Sequence, residues 1–400
     1  MEKIELLAPA GDLKRAKIAI RYGADAIFLG GKKFSLRSRA SNFEISDIKQ
    51  ACDFALEYNS KVFVTINMIP HDEDLSGLDE YLLELEKAGV SAVIVASMHI
   101  ITRVKKLTKM EAHLSTQMNV TNTKEIEFFK SLGVDRVVLA RECTMEEIKQ
   151  VAKNSSLPLE TFIHGGMCSN YSGRCTLSNL MTLRDANRGG CAQSCRWKYY
   201  LLDQDEYIND ENTLFSMSSK DLCATEYIYE MIKANVASLK IEGRMKSEYY
   251  IATVVKTYRD LIDEIYKNGK LEQNRIDYYK NEFKKAENRP TNDGFLSGYP
   301  GINHHLYGVN GAGVTHEFVA YVKDYNQDTS YATIEVRNYF KLNDTLEVFG
   351  PNTDNLRFEV IDLIDVENNN IEIANKPMRI LKTKVPFTIK KHDMIRKVTR

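Results

Sequence analysis

Between residues 5 and 260 the hydrophobic pattern has a repeating form. Short apolar runs without alternation are separated by segments with helical spacing. The runs are ELLAPA (5–10), AIFLGG (26–31), KVFVTIN (61–67), AVIVAS (92–97), EAHLSTQ (111–117), RVVLARE (136–142), LETFIHG (159–165) and SLKIEGR (238–244). A run of four or five apolar residues predicts a strand buried on both faces. The segments between them, such as DLKRAKIAIRYG and ISDIKQACDFALEYN, predict helices, with Asp12 and Ser46 as N-caps. Eight strands with helical connections predict a (β/α)8 TIM-like barrel. An open doubly wound sheet is the alternative, but no G-x-G-x-x-G loop follows the first strand.

The rhythm breaks after the seventh run, where a long segment precedes SLKIEGR. It predicts an insertion, residues 166–212, on the face where barrels keep their chemistry. A long charged helix follows from 245, with a helical continuation to 285. That closes a first domain at 1–285, and a Pro/Gly/Asn-rich linker spans 286–311. From 312 to 400, short alternating strands such as EFVAYVKDY, YATIEVRN and DTLEVFGP predict a small all-β barrel.

Composition adds limits. Hydrophobic residues make up 43% and charged residues 27%, as in an ordinary soluble domain. No apolar stretch has the length of a membrane helix, and MEKIELLAPAGDLK lacks the build of a secretory signal. A cytoplasmic protein without a membrane partner is expected, with its thiols reduced. Net charge is −1, yet residues 371–400 carry nine Lys/Arg against two Asp/Glu. The β-domain therefore has either a basic, RNA-binding edge or merely a solvated terminal face.

Four of the seven cysteines fall within 28 residues: Cys168-x6-Cys175-x15-Cys191-x3-Cys195. Chance would place about half a cysteine there. Three readings compete. A structural zinc site suits the second pair, whose spacing is short. An iron–sulfur cluster tolerates longer, irregular spacings. A nucleophile built from His164 and Cys168 would leave three cysteines unexplained. Residues at the predicted strand ends supply polar groups for one rim: Asn67, Gln117, Arg141, His164, Lys240, Glu242 and Arg244, with Arg37 and Arg39 after the second strand.

The stretch ETFIHGGMCSNYSGRCTLS resembles the signature of peptidase U family 32, the collagenase-like proteins. Glu160, Phe162, Gly165, Cys168, Gly173, Cys175 and Ser178 carry the match. RGGCAQSCRW, SLKIEGRMKS, LLAPAG, FSLRSRASNF, LSTQMNVTN and HDMIR are further stretches similar to this family. The length resembles its tRNA 5-hydroxyuridine synthase subgroup. That resemblance implies O2-independent hydroxylation of the wobble uridine in the tRNA anticodon region, with prephenate as co-substrate. It implies a 4Fe–4S cluster on Cys168, Cys175, Cys191 and Cys195, with zinc as the alternative. Substrate binding is then expected at Arg37, Arg39, Asn67, Gln117, Arg141 and Arg244, the arginines matching the two carboxylates of prephenate. Catalytic roles are expected for His164, Glu242 and Lys240. The alternatives are a collagenase-like peptidase, and a non-catalytic RNA-binding factor with a structural metal site.

Overall fold

A computed structural model describes residues 3–36, 42–210, 212, 214–286, 289–306 and 315–399 of the chain. The eight apolar runs all contain strands: β1 (Glu5–Pro9), β2 (Ala26–Gly30), β3 (Lys61–Ile66), β4 (Ala92–Val95), β5 (Glu111–Leu114), β6 (Arg136–Val138), β7 (Leu159–Gly165) and β8 (Ser238–Ile241). Each pairs in parallel with the next, and β8 pairs with both β7 and β1, which closes the barrel. Burial on both faces follows from this closure. Outward side chains pack under helices, while Leu7, Ala26, Phe28, Phe63, Ala92 and Ile94 form a separate cluster inside the barrel. Leu7, Ile94 and the two phenylalanines each contribute about 1.5–3 kcal/mol by their burial.

The surrounding helices are α1 (Leu13–Arg21), α2 (Ile45–Glu57), α3 (Leu78–Ala88), α4 (Met98–Leu107), α5 (Thr123–Ser131) and α6 (Met145–Asn154). Asp12 caps α1 by accepting from the Arg15 amide. Ser46 does not cap α2. The helix begins one residue before it, at Ile45, and Glu44 is the cap residue, with its amide donating to Asp47 at 3.3 Å.

Strands β5 and β6 are shorter than their apolar runs. The chain after Leu114 turns into a 3-10 segment, Thr116–Met118. After Val138 the Leu139 amide still bonds to Glu160, but that of Ala140 bonds to Val120 instead. Gln117 and Arg141 therefore stand on turns above the barrel mouth.

The stretch after β7 carries α7 (Leu177–Thr182) and several 3-10 turns, then returns through a short strand, Asp221–Cys223, antiparallel to β7. After α8 (Ile228–Lys233) and β8, the expected long helix is α9 (Glu248–Asn268) and its helical continuation is α10 (Gln273–Lys284), the two separated at Gly269. The stretch read as a linker packs back on the barrel. The Met145 amide bonds to Leu296, and Tyr227 donates to Asp293 at 2.9 Å. Among the described residues no helix is long and apolar enough to cross a membrane.

The C-terminal part is built on β9 (His316–Asn326), β10 (Tyr331–Val336), β11 (Thr345–Gly350), β12 (Thr353–Glu359), β13 (Ile380–Lys384) and β14 (Met394–Val398). They form one sheet in the order β12-β11-β14-β9-β10-β13. Its edges do not pair along their length as a full barrel would. The chain beyond β12 instead touches β13 at one bridge, where Ile364 and Lys382 exchange two hydrogen bonds.

The basic tail is in part an interior feature. Arg396 is 1% exposed. Its Nε donates to Glu347 at 2.8 Å, its Nη2 donates to Glu282 of α10 at 3.2 Å, and Lys285 donates to Glu347 at 2.9 Å. Arg379 pairs with Asp365, and Lys397 with Asp344. The network joins β14 to the end of α10, so it ties the sheet to the barrel.

Burial pushes the Glu347 carboxyl up, but Arg396 and Lys285 outweigh it and hold the group at about 2, from an ordinary value of 4.5. A depressed carboxyl stabilises the fold above its unfolded value, and that stability is lost as pH falls through the folded one. Urea unfolding should therefore show stability falling between pH about 4.5 and 2, and Glu347→Gln should flatten that fall while lowering stability at pH 7.

Candidate functional site

A cavity of about 150 Å³ lies over the C-terminal ends of the barrel strands. Phe28, Ile94, Val138 and Phe162 form its floor. Cys168, Cys175, Cys191 and Cys195 all line it, as do Asn67, Gln117, Arg141, Lys240, Glu242 and Arg244. Ten of the residues singled out from the sequence thus line one cavity. Arg37 and Arg39 lie outside the described residues. The remaining one, His164, is not part of the lining.

His164 is turned away by the backbone. Along β7, Glu160 pairs with Ser238, Phe162 with Lys240, and His164 with Ile241, so Ile163 is an extra residue. Such a bulge switches the following side chain to the other face. Glu160 and Phe162 point into the barrel, and His164 points out. There its Nδ1 meets the Tyr258 hydroxyl at 3.2 Å, and its ring packs on Phe283 at 4.9 Å between centroids. The ring is 1% exposed. The expected catalytic position is corrected to a packing position on α9 and α10.

The next residue, Gly165, has φ +101°, and a Cβ there would sit 2.3 Å from the Glu242 carbonyl oxygen. Only glycine allows this approach of β7 to the chain after β8. Gly30 serves similarly, since a Cβ would fall 2.1 Å from the Arg244 guanidinium.

Lys240 donates to Glu160 at 2.6 Å, and Arg136 donates to Glu160 at 3.4 Å and to Glu5 at 2.5 Å. This ladder fills the barrel beneath the cavity, and Glu160 is fully buried. Burial raises the Glu160 carboxyl, but Lys240 and then Arg136 overcome it and hold the group below the usual range. Glu242 is ion-paired with Arg141, at 3.6 Å. Arg141 also donates to the Gly166 carbonyl at 3.0 Å and lies 3.8 Å over the Phe162 ring, so its plane is fixed. Arg244 donates to Ser35 at 2.9 Å, Thr65 at 3.3 Å and Asn42 at 2.7 Å.

Gln117 is oriented by its neighbours. Its Oε1 accepts from Asn67 Nδ2 at 2.8 Å and from the Ser115 hydroxyl at 3.1 Å, while Asn67 Oδ1 accepts from the Leu36 amide at 3.4 Å. The Gln117 amide nitrogen is buried and finds no acceptor among the described residues. A buried donor without a partner costs about 1–3 kcal/mol, which an acceptor brought into the cavity would recover.

Several supports were missed by motif reading. Asn170 Nδ2 donates to Cys175 Sγ at 3.2 Å, and Asn187 Nδ2 donates to the Cys175 carbonyl at 3.0 Å. Glu142 accepts from the Ser172 amide at 2.7 Å and from its hydroxyl, holding that residue at φ 44°. The Asn and Ser content of NYSG was the available signal. Cys52 and Cys143 are buried away from the cavity, and Cys223 is half-buried.

The four thiols fit a shared prosthetic group. They come from separate turns yet line one cavity, and all are half-buried. Burial, offset in part by the Asn170 amide and Arg141, pushes the Cys168 thiol up, and Cys195 and Cys175 add to this. Among the described residues no three His, Cys, Asp or Glu side chains converge as a single bound ion requires. Four thiols facing one cavity are a soft donor set of the kind that zinc and iron–sulfur centres both take.

Fold and site together define a (β/α)8-barrel protein with a thiol-lined cavity at the catalytic face. The chain belongs to peptidase family U32. The family model matches residues 11–306, and that of its C-terminal domain matches 314–396. "tRNA hydroxylation protein P1" of Bacillus subtilis is 42% identical over 405 residues, covering 99% of this chain and 95% of that protein. "23S rRNA 5-hydroxycytidine C2501 synthase" of Escherichia coli is 38% identical, over 66% of this chain and 40% of that one. "Collagenase" of Porphyromonas gingivalis is 30% identical, over 94% and 93%.

The ladder under the cavity generates a stability prediction. Lys240→Met leaves Glu160 buried with one partner fewer and should cost about 3–5 kcal/mol in urea unfolding. Adding Glu160→Gln should restore part of that loss; no restoration would mean the pair is not coupled.

Proposed function

We propose that this chain is a tRNA-modifying enzyme that hydroxylates the wobble uridine to 5-hydroxyuridine without O2, with prephenate as the source of the hydroxyl group. The observation that carries the reading is the meeting of four thiols with Arg141, Lys240, Glu242 and Arg244 around one cavity. The near full-length similarity to a protein named for tRNA hydroxylation supports the choice of substrate.

Cys168, Cys175, Cys191 and Cys195 would hold a 4Fe–4S cluster, which when bound supplies one-electron chemistry beside the substrate. The chain's own groups bind and orient. Arg141 and Arg244 present planar donors to the two carboxylates of prephenate. Gln117 offers its buried amide N–H groups to a carbonyl of the uracil ring. Glu242, steadied by Arg141, is the carboxylate positioned to take a proton from the reacting carbon. Lys240, held by Glu160, supplies a fixed cation opposite it, and the apolar floor excludes water.

The peptidase reading needs a nucleophile with a base beside it. His164 is packed against Tyr258 and Phe283 instead of facing a thiol in the cavity.

Two experiments test this. In a deletion strain, mass spectrometry of tRNA nucleosides should show wobble 5-hydroxyuridine derivatives lost, and restored by the intact gene. Undiminished levels, with no related gene present, would sink the proposal. In the purified protein, Gln117→Leu should lower kcat/KM about 10- to 100-fold with thermal stability retained, because a substrate carbonyl then goes unbonded.

A further inference from the structure

A second cavity, of about 320 Å³, shares no lining residue with the first and lies between α1 and the C-terminal sheet. Its charged lining is one-sided. Lys14, Lys17 and Arg21 of α1 meet Lys323 of β9 and Lys391 next to β14, against the single carboxylate of Glu335. In a chain of net charge −1 this is a marked local concentration.

The spacing is ordered. Lys14, Lys17 and Arg21 fall at i, i+3 and i+7, on one face of the helix, and span about 10 Å. The row begins near the barrel mouth, because α1 follows Gly11, where a Cβ would be 2.2 Å from the Arg244 carbonyl oxygen. It then runs down the barrel wall. The opposite wall is pinned to it: Tyr22 donates to the His392 carbonyl at 2.9 Å, and the His392 amide donates to Val322 at 3.0 Å.

Several of these cations are uncompensated. Lys14 pairs with Glu248, and Lys323 with Glu335. Among the described residues Lys17, Arg21 and Lys391 have no carboxylate partner, and Lys17 and Arg21 lie over the Phe54 ring instead. The His392 imidazole registers the field. Burial lowers its affinity for a proton, and Arg21, Lys391 and Lys323 lower it further. An extended cationic strip with exposed ends suits a chain of phosphates better than one small anion, which would need converging buried donors.

We propose that the crevice between α1 and the C-terminal sheet binds the sugar–phosphate backbone of the RNA substrate, at a distance from the reacting base. This rests on the reading of the chain as an RNA-modifying enzyme. It gives the C-terminal sheet a role: its Lys323 and Lys391 complete a groove that the barrel alone would leave half-built.

The test is fluorescence anisotropy of labelled, unmodified tRNA with the full-length holoprotein across a salt series. Lys17→Ala/Arg21→Ala/Lys391→Ala should weaken binding about tenfold or more, and reduce the log–log salt slope by about 2–3. The charge-keeping variant Lys17→Arg/Arg21→Lys/Lys391→Arg should bind like the wild type, which separates loss of charge from loss of fold. Lys124→Ala/Lys130→Ala, on the exposed face of α5, should change neither quantity. If the wild type binds tRNA and the triple alanine variant keeps its affinity and slope, the groove proposal is wrong while the enzyme reading stands. If the wild type binds no tRNA at any salt, the enzyme reading itself fails. Inorganic phosphate displacing tRNA beyond the effect of KCl at matched ionic strength would mark a small-anion site and overturn the proposal.

Discussion

Closure of the barrel between β7 and β8 is the constraint on which the site depends. Two parallel strands must pair over a short length while their ends part to admit a long segment. The extra residue at Ile163 reconciles these demands. Before it, Glu160 and Phe162 face inward and meet Lys240 across the ladder. After it, His164 faces outward and locks onto Tyr258 and Phe283. Gly165 then lets the chain cross the Glu242 carbonyl at a distance no other residue tolerates. The thiols begin three residues later.

The interior beneath is ionic where an apolar filling would be simpler. A carboxylate at 0% exposure, held by Lys240 and Arg136, gives little net stability once desolvation is counted. Its effect is positional. Lys240 cannot leave Glu160 without exposing a buried charge, so its ammonium stays over the Phe28 ring at the cavity floor. The same logic recurs at the domain junction, where Arg396 holds Glu347 and Glu282 together. In both places buried charge fixes a geometry that apolar packing alone would leave free to slide.

Much of this was legible in the chain. Eight strand-like stretches separated by helical segments sufficed for the barrel. Five, such as AIFLGG and AVIVAS, carry the unalternating apolar pattern of strands covered on both faces, while EAHLSTQ, LETFIHG and SLKIEGR alternate and put polar residues inside. The four cysteines and the polar residues at strand ends could be gathered at one rim, because a barrel puts all strand ends on one side. His164 could not be placed, since a one-residue bulge leaves no mark in a fully buried run. Glu242 lies just past β8, and its ion pair is with Arg141, a residue about 100 positions earlier that no local pattern connects to it. Composition could not sort the basic tail, since a buried arginine such as Arg396 counts the same as an exposed lysine such as Lys391. The groove beside α1 was invisible because its cations come from α1 and from Lys323 and Lys391, more than 300 positions later, an interval no local pattern reports.

The account's central claim is that the cavity between the thiols and the barrel mouth is where a uridine is hydroxylated. Its most direct test is reconstitution under anaerobic conditions: purified protein carrying its cluster, unmodified tRNA and prephenate, followed by nucleoside mass spectrometry. The account predicts 5-hydroxyuridine at the wobble position, dependent on prephenate and on each of the four cysteines. Unchanged tRNA from protein with intact iron and sulfide, or product formed equally well by Cys168→Ser, would contradict it.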